Sequence, residues 1–328
     1  MAKQLLPRAA AALSFDEGYT QLFGDSNLML HGDGKRVHIS LDERTGAGFA
    51  SQDTYLHGFF SASMKLPSDY AAGVVVAFYM SNGDVYEKTH DELDFEFLGS
   101  RWGGQWRVQT NVYGNGSTDR GREERYLLPF DPTLEAHRYA VLWAPTHIIF
   151  YIDDTPIREV IRHPGMGGDF PAKPMAVYAT IWDGSAWATD GGKYKVNYKY
   201  APFASDFSAL ALLGCRADPV LRVPRGSGAG GCAEPDLLAL VTADYAVMTP
   251  QKRAAMRAFR ARHMTYTVCY DAVRYAAGPF PECDNSDEER EAFWAWGESK
   301  TVVMRTRGRG RRHGRRSGAR GRADVASS

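Results

Sequence analysis

Four acidic side chains fall within seven positions of HDELDFEFLG, residues 90–99, a stretch whose other members are mostly large and apolar. In a β-strand successive side chains point to opposite faces. Glu92, Asp94 and Glu96 therefore share one side, and Leu93, Phe95 and Phe97 the other. The apolar set fixes the register, because a one-residue slip would bury three carboxylates. A merely solvated face is disfavoured, since Asp and Glu are poor strand formers and adjacent like charges destabilise a sheet. Calcium takes oxygen ligands from flexible loops, and no Gly-turned loop interrupts these acids, so no metal is expected. Paired carboxylates suit glycoside hydrolysis, whose retaining form uses one as nucleophile and another as acid then base, about 5–5.5 Å apart. On a flat strand, positions i and i+4 are separated by roughly 13 Å at about 3.3 Å per residue. The strand must therefore belong to a concave sheet. Three such close carboxylates cannot all ionise independently, so at least one should hold a proton near neutral pH, the state a general acid needs.

The elements that would build this sheet are legible around it. RVHISLDE, GFFSASMKLP, GVVVAFYMS, ELDFEFLG, WRVQTNVYG, HRYAVLWAP, HIIFYIDD, PIREVIR and PMAVYATIWD are aromatic and β-branched runs punctuated by Gly, Pro, Asn and Asp. Strands with frequent turn signals and few helical patterns predict a β-sandwich over residues 15–207. Beyond it, Thr249 and Pro250 supply an N-cap and first-turn residue for a helix QKRAAMRAFRARHM, in which Met256, Phe259 and His263 share a face. A strand-like MTYTVCYDAVRY follows. Residues 208–299 are expected to pack on the sandwich as an extension, and residues 300–328 to form a disordered Arg/Gly-rich tail.

The 328-residue chain has 39 basic and 39 acidic residues, but residues 301–328 hold nine Arg and one Asp, leaving the remainder with a net charge of −8. Such a body offers no broad positive face for nucleic acid. No stretch approaches the roughly 20 apolar residues of a membrane span. Cys215, Cys232, Cys269 and Cys283 lack CxxC spacing, which argues against zinc. Two disulfides are expected, most simply Cys215 with Cys232 and Cys269 with Cys283, although four cysteines allow three connectivities. Asn115-Gly116-Ser117 is a glycosylation sequon. Pro7 and Arg8 interrupt the apolar run that a signal peptide needs, so residues 1–14 are a degenerate or truncated signal.

The acidic motif, together with FDEGY, HGFFSASMKLP, GVVVAFYMSNGD, QTNVYGNGS, GREERY, FPAKPM, WATDGGKYKVNYKYAPF and the C-terminal cysteines, resembles the plant xyloglucan endotransglucosylase/hydrolase family. That family lies within glycoside hydrolase family 16, and the similarity is to its branch with an elongated C-terminus. The resemblance implies a curved β-jelly-roll sandwich with a short α/β C-terminal extension that lengthens the acceptor half of an open cleft. It implies Glu92 as nucleophile, Glu96 as acid/base and Asp94 as their modulator. Gln109, Thr110, Asn111, Arg122, Glu123, Ala186, Trp187, Gly191 and Arg274 would contact substrate, with Trp182 and Trp187 available for sugar stacking. His90 precedes the motif in the family too, but alone it is a structural residue rather than a catalyst. Donor and acceptor xyloglucan chains would be the partners of a monomeric, secreted cell-wall enzyme that needs no cofactor. A non-catalytic polysaccharide-binding wall protein and a predominantly hydrolytic endo-β-glucanase are the alternatives. The chain departs from many members in lacking an acceptor Asn at Gly99-Ser100-Arg101, just after the motif, and in having Pro129 where Trp precedes FDP.

Overall fold

Leu93, Phe95 and Phe97 are fully buried, and the aromatic pair reaches across the core to a second sheet. Phe95 meets Phe150 edge-on at 5.2 Å between ring centroids, and Phe97 meets Tyr139 at 4.5 Å. Phe49 and Phe207 make the same kind of contact at 5.5 Å. Edge-to-face pairs of this geometry add to the burial of large apolar rings, so the two sheets are held by interlocking aromatics.

The computed structural model describes residues 13–222, 245–271, 273–275 and 280–283, together with Ser286 and Glu291. A short helix α1 (Phe15–Gly18) leads into an antiparallel sheet of eight strands. Its order is β1 (Tyr19–Phe23), β4 (Ala47–Ser51), β13 (Ala176–Asp183), β6 (Val74–Ser81), β7 (Glu92–Leu98), β8 (Arg107–Tyr113), β9 (Glu124–Leu127) and β15 (Met264–Thr267). The opposing seven strands run β12 (Thr155–Ile161), β11 (His147–Ile152), β10 (His137–Trp143), β5 (Tyr55–Lys65), β14 (Phe203–Arg216), β3 (Arg36–Leu41) and β2 (Leu28–His31). All nine runs expected to be strands are strands, and the fold is the two-sheet jelly-roll sandwich. The acidic strand β7 sits inside its sheet between β6 and β8, where both ladders fix its register.

Helix α2 (Pro250–His263) begins as expected: the Thr249 side chain accepts from the Lys252 amide at 3.2 Å, and Pro250 opens the first turn. Its Arg260 forks onto the buried Glu124 of β9, at 2.6 and 2.9 Å. Phe259 packs against Tyr126, with centroids 5.7 Å apart. β15 then pairs antiparallel with β9, so the C-terminal segment adds the edge strand of the sheet that carries the acids. The Cys269–Cys283 disulfide forms, with Cα atoms 5.5 Å apart. Cys232, residues 1–12 of the N-terminal segment and the Arg-rich tail lie outside the described residues.

Candidate active site

The pleat turns Glu92, Asp94 and Glu96 away from the core, and the ladders set a partner beside each. Across β8 the register places Tyr113 opposite Glu92, Asn111 opposite Asp94 and Gln109 opposite Glu96. Across β6 it places Ser81, Tyr79 and Ala77 in the same order. Tyr113 donates its hydroxyl to Glu92 Oε1 at 2.6 Å, and Gln109 Nε2 donates to Glu96 Oε2 at 2.6 Å. Asn111 hydrogen-bonds Asp94, which also bonds Glu92. The three acids share a depression of about 360 Å³ with Phe23, Ala77, Tyr79, Thr180 and Trp182.

Their electrostatics differ as their surroundings do. Burial, then the neighbouring charges of Glu92 and Glu96, raise Asp94 well above the usual carboxylate range, against the opposing effect of Asn111. Glu96 is pushed up to about 7, chiefly by burial; the Gln109 hydrogen bond opposes the shift, Glu123 and Glu92 reinforce it, and Arg125 opposes it. At neutral pH Asp94 therefore keeps its proton and Glu96 is poised between its two forms, beside Glu92 as a hydrogen-bond acceptor, an unequal set of carboxyl groups suited to acid–base chemistry.

A second cavity of about 630 Å³ is lined by Trp102, Arg107, Arg125, Leu127, Trp187 and Gly191 among others. Trp182 of the acidic depression and Trp187 of this cavity have rings 6.1 Å apart and tilted by 42°. Gly191, in the lining, adopts φ +65°, a left-handed conformation that glycine adopts at no steric cost. Ala186 is exposed beside it and does not line the cavity.

Two of the expected contact residues, Thr110 and Arg122, lie elsewhere. Thr110 is fully buried on the core side of β8, where its hydroxyl accepts from Arg158 at 2.8 Å; strand parity, opposite to that of Gln109 and Asn111, puts it there. Arg122 is likewise buried, paired with Asp169 at 3.2 Å and with Glu282, and its guanidinium lies over the Phe280 ring. It ties the extension to the sheet rather than facing the cleft. Glu123 is gripped by both terminal nitrogens of Arg274, each at 2.8 Å. Asn115 is exposed at φ 53°, with its amide donating to Asp91 at 2.8 Å.

Tyr113 and Arg125 are polar residues of the site that the sequence did not single out, and His90, expected to be structural, joins them. Tyr113 bonds Glu92, Arg125 bonds Gln109 at 2.7 Å, and His90 Nε2 lies 2.9 Å from the Tyr113 hydroxyl. Tyr113 shares the parity of Gln109 and Asn111, which was a usable signal once β8 was known to pair with β7.

The pattern described as "Glycosyl hydrolases family 16" matches residues 15–200, and "Xyloglucan endo-transglycosylase (XET) C-terminus" matches residues 240–283. The chain is 61% identical over 263 residues to "Probable xyloglucan endotransglucosylase/hydrolase protein 28" of Arabidopsis thaliana, covering 80% of this chain and 77% of that one. With protein 27 of the same plant series the identity is 63% over 262 residues, with 80% and 76% covered. Among solved structures, apo Crh5 transglycosylase is similar at 23% identity and a TM-score of 0.48, with 64% of this chain and 82% of that one covered. By the length and identity of these matches, the chain belongs to the plant xyloglucan endotransglucosylase/hydrolase family, within glycosyl hydrolases family 16.

Proposed function

We propose that this protein cleaves the β-1,4-glucan backbone of xyloglucan with retention and passes the fragment to another xyloglucan chain or to water. Glu92 attacks the anomeric carbon while Glu96 gives its proton to the departing glycosidic oxygen. The C1–O bond breaks and an ester to Glu92 forms. Glu96, now a base, takes a proton from the 4-hydroxyl of an acceptor chain or from water, and that oxygen displaces Glu92. Asp94, kept protonated by burial and by its two acidic neighbours, donates to Glu92 and moderates its charge. Transfer prevails when acceptor subsites hold the hydroxyl in line, because positioning raises its effective concentration over bulk water. Residues 15–207 form the catalytic sandwich, and the described part of the C-terminal extension, with α2 and β15, lengthens the acceptor half of the cleft. Trp187, Gly191, Asn111 and the Arg274–Glu123 pair contact the polysaccharide.

The observation that carries this reading is one strand face on which a carboxyl keeps its proton up to about pH 7 while another accepts a hydrogen bond from Tyr113. A wall polysaccharide as substrate supports secretion to the cell wall, where the enzyme would act as a monomer. The Cys269–Cys283 bridge suits an oxidising compartment, and the exposed Asn115 offers an amide for glycosylation.

The test is Glu92→Ala, assayed for label transferred from xyloglucan to a tagged oligosaccharide and for reducing ends released, with mixed-linkage glucan as a second donor. Both activities should fall by a factor on the order of 10⁴. Wild-type rates in the variant would contradict the nucleophile assignment. Reducing ends without label transfer in the wild type would favour a hydrolytic glucanase.

A further inference from the structure

Gln109 carries an amide, and the way it faces Glu96 decides whether it donates or accepts. Its Nε2 donates to Glu96 Oε2 at 2.6 Å, while its Oε1 accepts from Arg125 Nε at 2.7 Å. A guanidinium has donors and no acceptor, so Arg125 can face only the carbonyl end of Gln109. Arg125 is itself held: Nη2 donates to Glu123 at 3.3 Å, and the guanidinium lies 4.7 Å from the Tyr266 ring centroid. Glu123 is in turn gripped by Arg274 from the C-terminal extension, at 2.8 Å to each oxygen. Arg274 and Arg125 thus both donate to Glu123, and from Arg125 the donors run in one sense through Gln109 to the carboxyl group of Glu96.

We propose that Arg125 is a positioning residue for the acid/base: by locking the Gln109 amide toward Glu96 Oε2, it confines the transferable proton to Oε1. The inference rests on Glu96 acting as the acid. A proton on Oε2 would meet the hydrogens of the Gln109 amide, so the stable acid carries it on Oε1. From there it passes to the glycosidic oxygen as the C1–O bond breaks and the bond from Glu92 forms. Without Arg125 the amide is free to turn over. Its carbonyl then accepts from Oε2–H, and the proton is aimed away from the leaving oxygen. The charged and titratable groups that face Glu96 are Glu92 and Asp94 on its own strand, and Glu123 and Arg125 at β9, with Arg274 behind Glu123. Removing Arg125 takes away a cation that opposes Glu96 protonation, so the alkaline limb of activity moves to higher pH.

The experiment compares Arg125→Met and Arg125→Lys in the whole protein on two donors. One is xyloglucan, whose alcohol leaving group needs a proton. The other is an aryl xylogluco-oligosaccharide, whose acidic phenol departs without one, read as the first-turnover burst of phenol. Arg125→Met should slow xyloglucan turnover about 10- to 100-fold, the range for a lost hydrogen bond to a charged group. Its phenol burst should stay close to wild type, and its alkaline limb should rise. Arg125→Lys has only donors, as the guanidinium does, and should retain most of the xyloglucan rate. Glu96→Gln is the control and should show the same donor selectivity more strongly. Equal slowing of both donors by Arg125→Met, or equal loss in the Lys and Met variants, would overturn the role of Arg125. If Glu96→Gln slows both donors alike, the acid assignment falls and this inference with it. Gln109→Met deletes the donor itself and repeats the comparison should Arg125→Met fail to fold.

Discussion

Replacing Glu96 with Gln should make the protein more stable and less active. The folded carboxyl holds its proton up to about pH 7, against an ordinary value of 4.5. A carboxyl raised in this way binds its proton more tightly folded than unfolded. Its ionisation therefore costs stability: the cost is absent below about pH 4.5, grows between about 4.5 and 7, and is constant above. At 1.36 kcal/mol per pH unit, this difference amounts to about 3 kcal/mol at pH 8. Gln is neutral throughout, and its carbonyl can accept from Gln109 as Glu96 Oε2 does. Urea unfolding of wild type and Glu96→Gln at pH 4.5 and pH 8 reads the effect directly, as a midpoint gain at the higher pH that shrinks toward zero at the lower. Xyloglucan transfer should collapse in the same variant. A gain of equal size at both pH values, or none at pH 8, would refute the view that the strand holds a protonated acid at a cost in stability.

Two further expectations follow from the neighbouring charges. Glu124 is buried and lowered to about 2, despite burial, by Arg260, Arg158 and Tyr126, so it stabilises the fold above about pH 4.5 and loses that contribution as pH falls toward 2. Glu124→Gln should therefore cost about 3–5 kcal/mol at pH 7, as removing one member of a buried ion pair does, and much less near pH 2.5, measured by chemical denaturation. Asp94→Asn keeps a hydrogen-bonding group beside Glu92 but cannot take a charge. Because burial already holds Asp94 protonated, its fold should tolerate the change, and transfer should fall about 10- to 100-fold through the altered hydrogen bond to the nucleophile, read as kcat on xyloglucan.

The strands that sequence could show were those with local alternation. ELDFEFL declares its core face in Leu93, Phe95 and Phe97, and the ladders respect it. β4 gives no such signal: all five of its residues are buried on both faces, and Gly48 leaves room for the Phe23 ring, which an added Cβ would meet at 2.6 Å. β14 breaks its own alternation, since Ala209 turns left-handed at φ 48° and the register shifts between Ser208 and Ala211. The site divides in the same way. The acidic face was readable from strand parity alone, and Thr110 could have been excluded on the same ground. Arg125 and Tyr113 required the pairing of β7 with β8 and of β8 with β9, and Arg122 required partners as distant as Asp169 and Glu282. Those pairings are set by contacts far apart in sequence, which local periodicity does not carry.

Retention through a double displacement requires Glu92 to form a covalent bond to the sugar. A 2-deoxy-2-fluoro xylogluco-oligosaccharide with an activated leaving group would trap that intermediate, and peptide mapping by mass spectrometry would locate it. One glycosyl adduct is expected, on Glu92 within HDELDFEF, lost on addition of acceptor xyloglucan. An adduct on Asp94 or Glu96, or turnover with inverted configuration and no adduct, would contradict it.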